Sequence, residues 1–263
     1  MDLGFRGRTV LLTGAAGGIG RATAAVMAAD GASVIGVDLD EGRLKEAFAP
    51  LPSAPGASHW VIAADLSARE GAEAAAREAL ARAGVVDVFL SCAGVLPAWS
   101  DQEPADRQWA HTMAVNFEAF RWAAEALLPG MRARRSGAIV AVASDLAFKV
   151  AGPAAYGVSK AALVRYLKQL AAEEGPRGIR VNAVAPGPVD TPMWGGVVSD
   201  IAERDGVTPA EAEQAELAGR FTSLGPGVLQ PAQVARAVAF LASAWASGVN
   251  GAVLDLGGTN DHL

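Results

Sequence analysis

Tyr156 and Lys160 stand four residues apart in the run Tyr156-Gly157-Val158-Ser159-Lys160, and Ser144 precedes the tyrosine by twelve residues. On a helix, side chains at i and i+4 share a face, so phenol and ammonium are neighbours. Such a pair can pass a proton to and from a substrate oxygen. An unperturbed phenol ionises near pH 10, so only about one in a thousand is phenolate at neutral pH. A cation about 4 Å away supplies up to about 4 kcal/mol at an effective dielectric near 20, comparable to the roughly 3–4 kcal/mol that a base working at neutral pH requires. Tyr156, Lys160, Leu163, Leu167 and Leu170 fall at offsets 0, 4, 7, 11 and 14, a single inward stripe, with Arg165, Lys168 and Gln169 opposite. A lysine on a buried stripe needs a partner, and the ribose of a bound nucleotide would be one. A core tyrosine beside a solvated lysine, the usual fate of both residue types, does not fit this stripe. Tyr166, the other tyrosine, lies off it and reads as packing.

A second group of residues has the types and spacing to hold such a nucleotide. Thr13-Gly14-Ala15-Ala16-Gly17-Gly18-Ile19-Gly20 follows the first apolar run and opens a helical stretch. Glycines there permit a tight turn, close backbone approach to a pyrophosphate and close packing of helix on strand. The N–H groups and positive end of the helix would meet the phosphates. The plainer reading is a βα turn relieved of steric strain. Asp38 closes the second strand, 18 residues after Gly20. At that spacing an acid accepts hydrogen bonds from ribose hydroxyls and repels a 2′-phosphate. Asp38 and Asp40 both precede a helix at 41–48, so either could be its N-cap; with Asp40 as the cap, Asp38 is left for the ribose. No base lies in the turn before Gly20, Leu39 follows the acid, and Arg21 points along the new helix. NAD is favoured over NADP.

The elements that must position these groups alternate along the chain. Short β-branched runs at Thr9–Thr13, Ser33–Val37, His59–Ala63, Val86–Ser91, Ala138–Ala143, Arg180–Val184 and Ala252–Leu256 are separated by Ala-rich helical stretches near 18–30, 41–48, 67–83, 105–134, 155–175 and 231–243. Apolar strands separated by helices imply a parallel sheet covered on both faces. One α/β domain over 1–263 is expected, with a loop-plus-helix insertion at about 188–229, rich in Gly, Pro, Trp and acids, acting as a mobile lid over 192–228.

The 263 residues carry a net charge of −6, with 51% hydrophobic and 19% charged residues. That balance excludes disorder and argues against a nucleic-acid or anionic-membrane binder. The single cysteine, Cys92, excludes an intramolecular disulfide and any Cys-rich metal site. His59, His111 and His262 do not approach metal-ligand spacing, so no metal is expected. No apolar run reaches the roughly 18 residues of a membrane span. The N-terminal Met1–Arg6 enters a strand pattern at once, which points to a cytoplasmic protein without a signal peptide.

Taken together, Thr13–Gly20, Asp38, Asp65-Leu66, Ala93-Gly94, Asn116, Ser144, Tyr156/Lys160 and Pro186-Gly187 with Thr191 resemble the short-chain dehydrogenases/reductases over nearly the whole chain. The resemblance implies a doubly wound, Rossmann-type sheet of seven parallel strands in the order 3-2-1-4-5-6-7. It makes Tyr156 the group exchanging a proton with the substrate oxygen, and Lys160 the holder of the ribose that lowers the tyrosine pKa. Ser144 would bond the substrate oxygen, and Asn116 would anchor a water chain to Lys160. Around the nicotinamide cofactor it sets Gly14, Gly17, Gly18, Ile19 and Gly20, with Asp38 and Leu39 at the ribose and Asp65 and Leu66 flanking the adenine. Cys92, Ala93, Gly94, Pro186, Gly187, Val189 and Thr191 would complete that wall, Thr191 near the carboxamide. Hydride would pass between ring C4 and the carbinol carbon. Relatives also build dimers or tetramers through helices matching 105–134 and 155–175, so a homo-oligomer is implied.

Two departures stand out. Ser91-Cys92-Ala93-Gly94 replaces the usual Asn-Asn-Ala-Gly, and the Ser144–Tyr156 spacing is one residue short, which narrows the pocket on that side. Cys92, at an apolar strand end without an adjacent histidine, reads as a small packed hydrophobe. Val95, Leu96, Trp99, Asp145, Leu146, Phe148, Pro188, Met193 and Trp194 are the candidate pocket residues, suiting a medium-sized, partly apolar alcohol or ketone; Trp99 and Trp194 read equally well as interface packing. The sequence thus points to NAD-dependent oxidation of a secondary alcohol, or reduction of its ketone. An NADPH-dependent reductase of 3-oxoacyl thioesters and a non-catalytic dinucleotide-binding sensor or scaffold are the alternatives.

Overall fold

The computed structural model describes residues 2–96, 105–218 and 227–257. Seven strands, β1 (Thr9–Thr13), β2 (Ser33–Asp38), β3 (His59–Ala63), β4 (Val88–Ser91), β5 (Gly137–Val142), β6 (Ile179–Pro186) and β7 (Val253–Leu256), form one sheet. Its order is β3-β2-β1-β4-β5-β6-β7, with every neighbouring pair parallel. Helices α1 (Gly18–Ala29), α2 (Glu41–Phe48) and α9 (Pro231–Ala242) cover one face. The other face carries α3 (Arg69–Ala83), α5 (Ala119–Arg134) and α6 (Ala154–Glu174). Because side chains alternate across a strand, β1 feeds both layers: Leu11 packs with Phe89, Phe120, Leu127 and Leu167, while Val10 and Leu12 pack with Met27, Val34, Val88 and Val238. Both sides being dry explains the unbroken apolar strands. Among the described residues no helix is long and apolar enough to cross a membrane.

The chain order reverses between β1 and β4, which are neighbours in the sheet although β2 and β3 intervene in sequence. At such a switch point the flanking helices leave the sheet in opposite directions and a cleft opens at the carboxyl ends of the strands.

Two stretches differ from the sequence expectation. The helix over 105–134 is not uniform: α4 (Ala105–Met113) passes through a π-helical turn, Ala114–Glu118, into α5. One extra residue per turn rotates Asn116 inward, where its amide replaces lost helical contacts with tertiary hydrogen bonds. The 188–229 insertion is also more helical than a loop with one helix. It holds α7 (Pro192–Asp205), capped by Thr191 with Pro192 at the first position, and α8 (Pro209–Ala218). Asp190 N–H donates to Leu229 O and Leu229 N–H to Pro188 O, both at 2.8 Å, so the insertion is stapled at its base. Val198, Ile201, Ala202 and Ala212 give it a small core of its own, and Trp194 Nε1 donates to Glu213 Oε1 at 2.8 Å. Residues 219–226 of the expected lid, with Trp99 and His262, lie outside the described residues.

Helices α5 and α6 are joined by an ion pair whose carboxylate is buried and whose guanidinium is half-exposed. Glu174, whose side chain is 1% exposed, accepts from Arg132 Nε at 3.0 Å and Nη2 at 2.6 Å, with Arg177 Nη1 at 3.4 Å. The Arg132 hydrogen bond holds the Glu174 carboxyl below its ordinary range. Its stabilisation is therefore complete above the unfolded-state pKa and is lost as pH falls through the lower folded-state value. Arg132→Leu leaves this buried carboxylate with Arg177 alone. It should cost about 2–3 kcal/mol in urea unfolding at neutral pH, less than a fully buried pair because Arg132 is half-exposed, and the deficit should shrink in acid as Glu174 protonates.

Candidate active site

Tyr156 and Lys160 occupy the first two turns of α6, on the side facing the carboxyl end of β5. Lys160 is 3% exposed; its Nζ donates to Val142 O at 2.9 Å and stands 5.7 Å from the Tyr156 ring centroid. Burial pulls the ammonium pKa down to about 8. Burial likewise pushes the Tyr156 phenol up to about 12, a hydrogen bond with Ser144 lowering it and the charge of Asp145 raising it. Loss of water is the dominant influence on both groups. Tyr166 packs edge-on against Phe117 and Phe120, as expected of a packing residue.

Ser144 leaves β5 and caps the 3₁₀ turn Asp145–Ala147. Its Oγ accepts from Leu146 N–H at 3.2 Å and donates to Asp145 Oδ1 at 3.1 Å, and Asp145 Oδ2 pairs with Lys149 Nζ at 3.2 Å. Asn116, 2% exposed, accepts from Val95 N–H at 2.7 Å and donates to Val95 O and Ser159 Oγ, both at 3.0 Å. Ser159 in turn donates to Tyr156 O at 2.7 Å. The π-turn amide thus clamps the chain after β4 to the helix carrying Tyr156. A Cβ on Gly94 would stand 3.3 Å from Lys160 Nζ and 3.4 Å from Asn116 Oδ1, so both polar groups converge on one glycine.

The glycine turn is dictated by close approaches. Gly14 has φ +69°, and a Cβ there would lie 2.5 Å from Ala93 N. At Gly20 it would lie 2.0 Å from Gly14 O, and at Gly18 2.7 Å from Thr191 Cγ2. No side chain caps α1, so its first N–H groups have no side-chain partner. A cavity of about 400 Å³ lies over this turn, lined by Gly14, Gly17, Gly18, Ile19, Gly20, Asp38, Leu39, Asp65, Leu66, Cys92, Ala93, Gly94 and Thr191. The Asp38 carboxylate accepts from Ala16 N–H at 2.9 Å and Leu39 N–H at 2.8 Å, whereas Asp40 accepts from Arg43 N–H and is the cap of α2. Two hydrogen bonds from Ser67 hold Asp65 below the usual carboxylate range.

A second cavity of about 310 Å³ contains Ser144, Tyr156 and Lys160 with Pro186, Gly187 and Val189, and it shares Ile19, Cys92, Gly94, Thr191 and Met193 with the first. Of the candidate pocket residues, Leu96, Asp145, Leu146, Pro188, Met193 and Trp194 line it. Val95 lines the neighbouring cavity instead, and Phe148 packs against the core. Burial pushes the Cys92 thiol up to about 12, in keeping with a packed, inert side chain. Several lining residues escaped the sequence reading. Arg43 and His111 reach the glycine-turn cavity, and Val197, Ile201, Arg204 and Glu216 reach the Tyr156 cavity. His111 stands one turn before Val115, another lining residue, but neither position carries a signal in the sequence alone.

Comparison with known proteins agrees with this geometry. The family model described as short chain dehydrogenase matches residues 8–202. Galactitol 2-dehydrogenase (L-tagatose-forming) of Cereibacter sphaeroides is 35% identical over 257 residues, 96% of this chain and 94% of that protein. The structure of L-sorbose reductase from Gluconobacter frateurii, complexed with NADPH and L-sorbose, superposes with a TM-score of 0.90 at 30% identity, covering 100% of both chains. That of NAD⁺-bound xylitol dehydrogenase gives a TM-score of 0.88 at 26% identity, over 97% of this chain and 100% of the other. The match over most of the chain and a relative covered nearly end to end show the family: this chain belongs to the short-chain dehydrogenases.

Proposed function

We propose that this chain oxidises a secondary alcohol, or reduces the matching ketone, with NAD, and that Tyr156 exchanges the proton. One observation carries the reading. Lys160 is an almost fully buried cation whose partner is a single backbone carbonyl, without a carboxylate among the described residues. Burying a charge so thinly compensated costs stability, so its place one turn from a cavity-facing tyrosine is explained by chemistry and not by packing.

The residues present suit a dinucleotide. The glycine turn leaves a cradle that a Cβ would fill, beside the uncapped start of α1 and the fixed Asp38 carboxylate. Gly14, Gly17, Gly18, Ile19, Gly20, Asp38, Leu39, Asp65, Leu66, Cys92, Ala93 and Gly94 would hold its adenosine and phosphates. Pro186, Gly187, Val189, Thr191, Tyr156 and Lys160 would hold the nicotinamide half. When bound, that ring accepts or supplies the hydride. Lys160 keeps two N–H groups beyond the one given to Val142, and these suit ribose hydroxyls. Tyr156 takes the proton from the substrate oxygen in oxidation and returns it in reduction. Ser144 hydrogen-bonds the same oxygen, and Asn116 fixes the backbone of Val95 and, through Ser159, of Tyr156. Leu96, Leu146, Pro188, Met193, Trp194 and Ile201 exclude water and favour a partly apolar substrate. The polyol and keto-sugar names of its relatives support chemistry at a carbinol carbon.

NAD is favoured because Asp38, held by two backbone N–H groups, presents a fixed negative charge where a 2′-phosphate would lie. Arg43, on the same cavity wall, and the NADPH in the L-sorbose reductase complex favour NADPH, and with it the thioester-reductase reading. Exposed Trp109 and Val158, on the two helices expected to pack between subunits, support a homo-oligomer.

Three measurements follow. Tyr156→Phe should lower turnover of a secondary alcohol about 10²–10⁴-fold, the range lost with a general base, and Lys160→Met should do likewise while keeping or raising the melting temperature, because an apolar side chain replaces a buried charge. Near-parental activity of Tyr156→Phe rules out the assigned proton path. NADH should outperform NADPH by about tenfold or more in kcat/KM, the effect of about 1.4 kcal/mol, and Asp38→Ala should erode that ratio. Sedimentation at micromolar concentration should show a dimer or tetramer.

A further inference from the structure

The Ser144 hydroxyl has one proton and two claimants. A carboxylate only accepts hydrogen bonds, so the 3.1 Å contact between Ser144 Oγ and Asp145 Oδ1 spends the serine proton on Asp145. The Leu146 N–H donates to the same Oγ at 3.2 Å. The Ser144–Tyr156 hydrogen bond lowers the phenol pKa, which requires the serine proton to point at the phenol oxygen, so Asp145 and Tyr156 compete for it. For Ser144 to stabilise a phenolate, or to donate to a ketone oxygen, its hydrogen must turn away from Asp145. Asp145 is 3% exposed and lines the cavity of Tyr156, so water screens its charge little. Lys149 Nζ, 3.2 Å from Asp145 Oδ2, offsets that charge from the side away from Ser144.

We propose that Asp145 is a positioning residue that holds the Ser144 proton away from Tyr156, and that Lys149 sets how strongly it does so. The inference rests on the reading of Tyr156 as the proton-exchanging group. Other titratable groups face this site among the described residues. Lys160 lies on α6 itself, and Cys92, after β4, is kept neutral by burial. Asp255 on β7 has its carboxyl raised by burial, with Lys149 lowering it and Asp145 raising it, and its Oδ1 is buried without a hydrogen-bond partner. Arg204 and Glu216 come from the insertion. Of these only Asp145 touches Ser144 among the described contacts, so it alone couples its charge to the direction of the hydroxyl.

The chain has two tyrosines, so in a Tyr166→Phe background tyrosinate absorbance titrates Tyr156 directly, in the protein alone and without turnover. Asp145→Asn keeps an acceptor but removes the charge. It should move Tyr156 ionisation, and the rising limb of the pH–rate profile of alcohol oxidation with NAD⁺, to lower pH by about half a unit or more. Lys149→Met should move both to higher pH, and should lose that effect when combined with Asp145→Asn. Shifts of the same sign, an unmoved titration in both variants, or opposed shifts that persist in full in a Ser144→Ala background overturn the proposal, because the direct charge effect of Asp145 on Tyr156 does not pass through the serine. If Asp145→Asn does not fold, Lys149→Met alone decides by the sign of its shift and by its dependence on Ser144. Opposed titration shifts in a protein that oxidises no secondary alcohol would instead reject the proposed function and leave this inference standing.

Discussion

An ammonium held out of water by a single carbonyl is the constraint on which the site depends. Lys160 can sit there because α6 crosses the end of β5, where Val142 O accepts from its ammonium, and because Gly94 has no side chain to displace it. The same dryness pushes the Tyr156 phenol up and the Lys160 ammonium down, and a phenol in that setting is brought down by added positive charge or by hydrogen-bond donors such as Ser144.

The glycine contacts explain how one sheet serves two cavities. Gly14 lies against Ala93, and Gly18 against Thr191, so the βα turn, the end of β4 and the start of α7 meet without intervening side chains. Each close approach excludes even a methyl group, a packing condition as strict as any in the core. It lets the uncapped start of α1 and the Ser144–Tyr156 wall open onto one continuous cleft. The switch point supplies the opening, and the missing Cβ atoms supply its depth.

Much of this was legible in the sequence because it is periodic. Seven unbroken apolar runs mark strands buried on both faces, the stripe from Tyr156 to Leu170 obeys a period of 3.6, and the structure returns the strands with shifts of one or two residues at their ends. Ser144, Tyr156 and Lys160 fall together because the spacing fixes the last two on one face and the strand end fixes the first. What escaped is what periodicity does not encode. The π-turn at Asn116 is a one-residue slip whose stabilisation comes from Val95 and Ser159, distant in sequence. The pairing of Asp145 with Lys149, the reach of Arg43 and His111 into the cleft, and the balance between desolvation and charge at Tyr156 all depend on burial, which local sequence does not reveal.

The insertion ties the substrate side to the nucleotide side. Thr191 caps α7 through its Oγ1 while its Cγ2 abuts Gly18, and the Pro188–Leu229 hydrogen bonds close the base of the segment. Met193, one turn into that helix, lines both cavities. A displacement of the start of α7 would therefore reshape the wall over the glycine turn and the wall over Tyr156 together. Since Trp194 is also latched to Glu213 on α8, the two helices move as a unit if they move at all. The two cavities thus share their walls, and the same few residues shape both.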